Sequence, residues 1–177
     1  MSEIYTKTGD DGTSGLLGKG RFPKNHPRFD AIGDVDEANA AFGVARAHSK
    51  RKETKEIILS IQRDLYRLMS ELASTPDNDE RFQYINKDHT TWIEEQISKI
   101  GNYVTIPKEF IVPGDTQAGS YLDLARTVVR RAERRICSLF QTGELKNIEI
   151  LHYINRLSSL CYILELWEID GQISTQY

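Results

Sequence analysis

The densest chemistry in this sequence is cationic. Arg126, Arg130, Arg131, Arg134 and Arg135 fall within ten positions, with Glu133 the one acid among them. On a helix, Arg126, Arg130 and Arg134 stack four apart along one face, with Arg131 and Arg135 beside them. Such a row repels itself unless an anion or an acidic partner is near, and the planar guanidinium fork donates bidentately to phosphate. A solvated face is the ordinary explanation of a charge run. Here Ala125 and Val129 precede the first two members of the row, so it borders an apolar stripe. That placement favours phosphate or interface pairing over plain solvation.

A second candidate lies near the N-terminus, where TKTGDDGTSGLLGKG (Thr6 to Gly20) concentrates glycine, hydroxyl and lysine. Glycines let backbone N–H groups turn toward an anion, hydroxyls donate, and lysine adds charge, so the combination can cradle phosphates. It is not a P-loop, because no Ser or Thr follows the GKG lysine, and without a strand–helix–strand context it is not a dinucleotide fingerprint. From composition alone, a flexible glycine-rich leader fits equally well. Asn155 sits beside Ile154 at the edge of an apolar row, where it can bond a base or ribose or satisfy a neighbouring backbone group. Asp34, Asp36 and Glu37 read as charges stabilised at a helix N-terminus, or, for Asp36, as a partner for an arginine of the fourth helix.

His26, His48, His89 and His152 match no metal-ligand spacing, and no Ser-His-Asp or Cys-His arrangement can be assembled, so no metal-binding residues are assigned. The residues offer a polyphosphate site without a protein nucleophile. They suit a reaction in which the second substrate is itself the nucleophile.

The elements that must position these groups are helical. Apolar residues recur at steps of three and four in five stretches. The first begins at about Ile32 with Val35, Ala38, Phe42 and Ala45, and the second covers Lys55 to Ala73 with Ile58, Ile61, Leu65, Leu68 and Leu72. The third covers Thr90 to Val104. The fourth, Gln117 to Gln141, is capped by Thr116 or Asp115 and stopped by Gly143. The fifth runs from Ile148 to Ile169 and ends at Gly171. Residues 1–29 hold five glycines with Pro23 and Pro27 and read as irregular, 74–89 reads as a loop, and Pro107 and Pro113 bracket a short extended piece. No alternating strand pattern of useful length appears. The expectation is an all-α fold, a five-helix up-and-down bundle with a glycine-rich N-terminal segment, forming one domain over 1–177 with its bundle at 30–171.

The net charge of −3 argues against a nucleic-acid binder, so any anion site comes from local clustering. No apolar run approaches the roughly 18 residues of a membrane span, and MSEIYTKTGDDG has neither the apolar core nor the cleavage site of a signal peptide. Cys137 and Cys161 each fall inside a helical pattern and read as reduced thiols, which points to the cytoplasm.

The segment IYTKTGDDGTSGLLGKGRFPKNHPRFDAIGDVDEANAAFG resembles the N-terminus of PduO-type ATP:cob(I)alamin adenosyltransferases, and FIVPGD, LARTVVRRAERRI and YINRLSSL resemble the same family in the same order. The similarity runs from about Ile4 to Trp167. It implies a ferritin-like five-helix bundle assembled as a homotrimer with active sites between subunits. It further implies that Thr6, Lys7, Thr8, Gly9, Ser14 and Lys24 wrap ATP from one subunit, while Arg130, Arg131, Glu133, Arg134 and Asn155 complete the site from its neighbour. Asp36 and Arg126 resemble the family's intersubunit pair, and Phe110 the aromatic that sits against the corrin's lower face and displaces the axial base.

The implied reaction is transfer of the 5′-deoxyadenosyl group of ATP to the cobalt of cob(I)alamin, giving adenosylcobalamin and triphosphate. Mg²⁺ would accompany ATP, and a reductase and an adenosylcobalamin-dependent enzyme are the implied partners. Two positions depart from the family pattern: Asp115 stands where a second glycine follows FILPG, and Ser159 replaces the carboxylate of NRLSD. Both bear on the corrin side. Two other readings fit the residues alone. One is an ATP- or triphosphate-binding bundle that delivers or senses adenosylcobalamin, which Asp115 and Ser159 favour. The other is a structural oligomer whose arginines pair with Asp34, Asp36 and Glu37 across subunits.

Overall fold

A computed structural model describes residues 5–169 and 174–175, so the stop expected at Gly171 lies outside the described residues. The elements are β1 (Thr13–Gly15), β2 (Arg21–Pro23), α1 (Pro27–His48), α2 (Lys52–Ala73), a 3₁₀ turn at Asp79–Phe82, α3 (Lys87–Gly101), α4 (Gln117–Gln141) and α5 (Ile148–Glu168). The fold is the expected all-α bundle of five helices.

Helix α4 has the bounds its pattern implies. Thr116 Oγ1 accepts the Gly119 N–H at 3.0 Å, and Gly143 takes a positive φ just past the end, the conformation that closes a helix most easily without a Cβ. Helix α1 starts five residues before the apolar row begins. Pro27, expected to break structure, occupies the first turn, where its missing N–H is no loss, and His26 Nδ1 accepts the Arg28 N–H. Helix α3 likewise starts early, because Asn86 and His89 form a reciprocal cap.

The five apolar stripes meet in one core that includes residues of every helix. The rows expected on α2 and α4 are buried as read. Helix α5 is apolar nearly all round, with Ile150, Tyr153, Leu157, Leu160 and Leu164 inaccessible, as suits a helix flanked on two sides. Helix α1 packs on α2 and α4, and α5 packs on α4 and α3, giving the lateral order α2, α1, α4, α5, α3. Helices α1 and α4 run antiparallel: Arg135 meets Asp30, Arg131 meets Asp34, and Tyr121 lies against His48.

Two short pieces escaped the sequence reading. Strands β1 and β2 form an antiparallel hairpin pairing Thr13 with Pro23, Ser14 with Phe22 and Gly15 with Arg21. At three residues each they are too short for alternation to register. The hairpin tip docks on the end of α2, where Leu17 N–H donates to the Ala73 carbonyl (2.8 Å) and Thr75 N–H returns a bond to the Leu17 carbonyl (3.2 Å). Beneath it the buried Arg28 guanidinium donates to the carbonyls of Leu72 (2.8 Å), Ser74 (2.6 Å) and Glu144. It thereby ties the start of α1 to the ends of α2 and α4.

Candidate active site

The arginine row of α4 splits between two faces. Arg131 Nε donates to Asp34 Oδ1 at 3.1 Å and its other arm pairs with Glu37, while Arg135 reaches Asp30 and Asp34 at 3.7 and 3.8 Å. These partners hold the Arg131 guanidinium above its ordinary pKa, chiefly through the Glu37 bond. Arg131, expected against ATP, thus lies on the α1-facing side, paired within its own subunit. Asp34 and Glu37 are spent on it. They sit in the second and third turns of α1, too far along for the helix-dipole role expected of them; only Asp30 occupies the first turn.

Asp36 does not pair with α4 inside the subunit. Two residues along a helix rotate a side chain by about 200°, away from the face that Asp34 and Glu37 share. Asp36 is exposed and makes no hydrogen bond or ion pair with the described residues of its own chain. Arg126 is held instead by Asp123, at 2.7 Å.

Arg126 and Arg130 turn toward α5 and line a cavity of about 700 Å³ bounded by α3, the loop before α4, α4 and α5. Arg130 Nη1 bonds Glu133 Oε2 at 2.6 Å, and the other Glu133 oxygen accepts from Asn155 Nδ2 at 2.8 Å. Glu133 is therefore the joint between Arg130 and Asn155. Arg156, not singled out in the sequence, completes the chain: it donates to Asn155 Oδ1 at 2.8 Å and is itself held by Glu94 at 3.0 Å. Arg134 is exposed and donates to the Arg130 carbonyl.

The cavity is also lined by apolar side chains, among them Ile97, Tyr162 and Ile163, and by Phe110, which is 82% exposed. An aromatic of that size left in water beside a cavity suits a large ligand with an apolar face. Ser159 also lines the cavity. The loop carrying Phe110 bonds to the C-terminal residues: Val112 N–H donates to the Ser174 carbonyl (2.9 Å), and Asp115 accepts from the Ser174 N–H (2.8 Å) and Oγ (2.7 Å). Those bonds lower the Asp115 pKa, so its charge is engaged by the tail.

Behind the cavity wall, Glu165 is 1% exposed, with one carboxylate oxygen lacking any hydrogen-bond partner. Burial, followed by the nearby Asp123, pushes its carboxyl up to about 8 against the opposing pull of Arg126. Nothing in the sequence pattern marks it, because its position on α5 belongs to the apolar stripe.

The N-terminal segment forms a separate, exposed cradle. Thr6 and Thr8 share a hydroxyl–hydroxyl bond of 2.8 Å around Lys7, whose φ of 57° is left-handed. Lys24 Nζ lies 3.1 Å from where a Cβ on Gly9 would sit, so glycine is what lets the ammonium approach this backbone. Ser14 stands in β1 opposite Phe22. Arg21, absent from the sequence expectations, holds the loop together by donating to the Thr8 carbonyl and to both oxygens of Thr13. No hydrogen bond or ion pair among the described residues joins segment 6–24 to Arg126, Arg130, Arg134 or Asn155.

Among the described residues no three His, Cys, Asp or Glu converge as a metal cage, and no helix is long and apolar enough to cross a membrane. Chemically, the cavity pairs an apolar, aromatic edge with a guanidinium wall, and the cradle offers hydroxyls and a lysine.

The cobalamin adenosyltransferase family model matches residues 4–168. The chain is 37% identical over 162 residues to the corrinoid adenosyltransferase PduO of Citrobacter freundii, covering 91% of this chain and 48% of that protein. It is 36% identical over 163 residues to a second corrinoid adenosyltransferase of Citrobacter freundii, covering 92% of both. The chain therefore spans about half the length of the PduO relatives and nearly all of the shorter one. Among solved structures, it matches a phenylalanine-to-alanine variant of the PduO-type ATP:corrinoid adenosyltransferase of Lactobacillus reuteri complexed with cobalamin and ATP. That match has 34% identity and a TM-score of 0.89, and it covers 98% of each chain.

Proposed function

The chain belongs to the cobalamin adenosyltransferase family, and from that premise we propose that it transfers the 5′-deoxyadenosyl group of ATP to the cobalt of cob(I)alamin, releasing triphosphate. The observation that carries this reading is the cavity itself. It is lined by Arg126 and Arg130, by the apolar Ile97 and Ile163, and by the exposed Phe110. A corrin laid on the apolar side would present its cobalt toward a nucleotide held by the cationic side.

In the proposed sequence, cob(II)alamin enters with its lower face against Phe110, which excludes the axial base. The four-coordinate cobalt then takes an electron from a reductase more readily. The Co(I) lone pair attacks C5′ of ATP, a Co–C bond forms as the C5′–O bond breaks, and triphosphate departs with the electron pair. Arg130 and Arg134 neutralise the charge that accumulates on the leaving group, and Glu133 and Asn155 keep Arg130 in line. Thr6, Lys7, Thr8, Gly9, Ser14 and Lys24 wrap the triphosphate. Arg131, held by Asp34 and Glu37 on the α1-facing side, would reach the nucleotide only by giving up one of those partners. Mg²⁺ would arrive on the phosphates, held by their oxygens and by water, which suits an ion that gives up its hydration reluctantly.

We read the active assembly as a homotrimer. Its support is that no hydrogen bond or ion pair among the described residues joins the two half-sites within one subunit, together with an exposed Asp36 that a neighbour's Arg126 could meet. Such a meeting requires Arg126 to exchange its Asp123 partner. Two free cysteines favour a cytoplasmic setting, with a downstream enzyme that consumes adenosylcobalamin.

The test is anaerobic turnover with ATP, Mg²⁺ and chemically reduced cobalamin, following loss of Co(I) absorbance and release of triphosphate. Adenosylcobalamin and triphosphate should form one to one, and Arg130→Ala should lower kcat/KM by at least about a hundredfold, the usual effect of losing a charged transition-state donor. ATP binding without transfer would refute the reading.

A further inference from the structure

The loop that presents Phe110 has little to hold it. Among the described residues no backbone hydrogen bond ties 105–115 to the helical bundle, and Phe110, Val112, Pro113, Gly114 and Asp115 are all exposed. Its ties run to the C-terminal residues. Ile111 pairs with Thr175 in an antiparallel bridge, and Val112 N–H donates to the Ser174 carbonyl at 2.9 Å. At the far end of the loop the Asp115 carboxylate takes both donors of Ser174, backbone N–H at 2.8 Å and hydroxyl at 2.7 Å.

From this geometry we infer that Asp115 is a positioning residue for the corrin-facing loop: it latches Ser174, and the latched tail fixes where Phe110 stands at the cavity edge. The inference rests on the proposed function for the identity of the ligand, but the latch itself is a property of the free protein. Two ties follow the aromatic within five residues, a ladder bond at Val112 and a carboxylate clamp at Asp115, and Gly114 between them has a φ of +143°. That backbone turn, closed to ordinary L residues, swings Asp115 back toward the tail. A carboxylate accepting a backbone N–H and a hydroxyl together forms charge-assisted bonds, which are stronger than the neutral pairs that hold most loops. A glycine at 115 could make neither bond. The departure at this position is thus accounted for by a tail partner 59 residues away, not by added charge in the corrin pocket.

The latch also separates two kinds of effect. Asp115 does not line the cavity, so losing it should leave the cationic wall and ATP untouched and blur only the position of Phe110. Lys108 lies in the same loop and offers trypsin a cleavage point whose accessibility reports loop opening.

Asp115→Asn, Asp115→Ala and Ser174→Ala should each accelerate tryptic cleavage after Lys108 by roughly five- to tenfold, the range expected for losing one or two charge-assisted bonds at an exposed site. The double variant Asp115→Ala/Ser174→Ala should be no faster than Asp115→Ala alone. In the turnover assay, the same variants should raise KM for the corrinoid several-fold with KM for ATP unchanged. Unaltered cleavage in Asp115→Ala and Ser174→Ala, or additive effects in the double variant, would overturn the latch. If the wild-type protein catalyses no transfer, the proposed function fails, and the cleavage measurement still decides whether Asp115 holds the loop.

Discussion

Replacing Glu165 by glutamine should make the protein more heat-resistant at alkaline pH and change it little at pH 5. Glu165 is enclosed among Asp123 and Arg126 of α4, Asp115 of the preceding loop, and Tyr162 and Cys161 of its own helix. Its carboxyl is raised from 4.5 to about 8. The folded state therefore keeps a proton that the unfolded chain releases over that interval. Stability is fully present below the unfolded value, declines as pH rises, and levels off above the folded value. Each pH unit removes about 1.36 kcal/mol, on the order of 5 kcal/mol in all, and relaxation around the new charge brings the expected loss to about 2–5 kcal/mol.

Glutamine keeps the shape and carries no charge, so it avoids the decline. For a chain of this length each kcal/mol moves Tm by about 2–4 °C. The gap between Glu165→Gln and wild type should therefore open by roughly 5–20 °C between pH 5 and pH 9. The assay is paired thermal unfolding by circular dichroism at equal protein concentration across that range. Other titrating groups are common to both proteins and cancel in the difference. Parallel Tm curves, with a constant gap at every pH, would show that Glu165 is already ionised in the fold and would refute the reasoning.

Gly18→Ala should loosen the N-terminal segment, because a Cβ there would fall 1.6 Å from Thr75 Oγ1 and 2.8 Å from Thr75 Cβ. Overpacking of this kind costs about 1–3 kcal/mol, and calorimetry should find ATP binding weakened several-fold while the bundle melts only slightly earlier. Equal ATP affinity would separate the docked hairpin from nucleotide binding. Arg28→Met should lower stability by about 3–5 kcal/mol, since it strips donors from two buried carbonyls and from Glu144. Urea unfolding measures it, and a loss under about 1 kcal/mol would mean that water replaces the guanidinium there.

The bundle was legible because its signal is local. Rows such as Ile58, Ile61, Leu65, Leu68 and Leu72 repeat within single helices, and burial follows from the repeat. Boundaries were legible where a cap is spelled out, as at Thr116 and Gly143, and misplaced where a residue has two meanings. Pro27 breaks a helix interior yet starts one well, and its sequence context does not say which. Among the site residues, the row Arg126, Arg130 and Arg134 was visible as spacing. The split that sends Arg131 and Arg135 to α1 depends on which helix lies alongside, information held some ninety residues away in Asp34 and Glu37. Asp115 is a sharper case. Read beside its neighbours it is a charge at a pocket, and only the fold brings Ser174 to it. Glu165 gave no signal at all, because a single carboxyl in an apolar row carries no periodicity of its own.

The Arg28 junction also sets an order for events during synthesis. Its guanidinium closes on Glu144, 116 residues later in the chain. At roughly 5–20 residues per second, the ribosome delivers that partner about 6–23 s after Arg28 itself. Until then the start of α1 and the end of α2 lack the clamp on which the hairpin rests. The N-terminal cradle, translated before the bundle, would therefore be among the last parts of the subunit to reach its final shape.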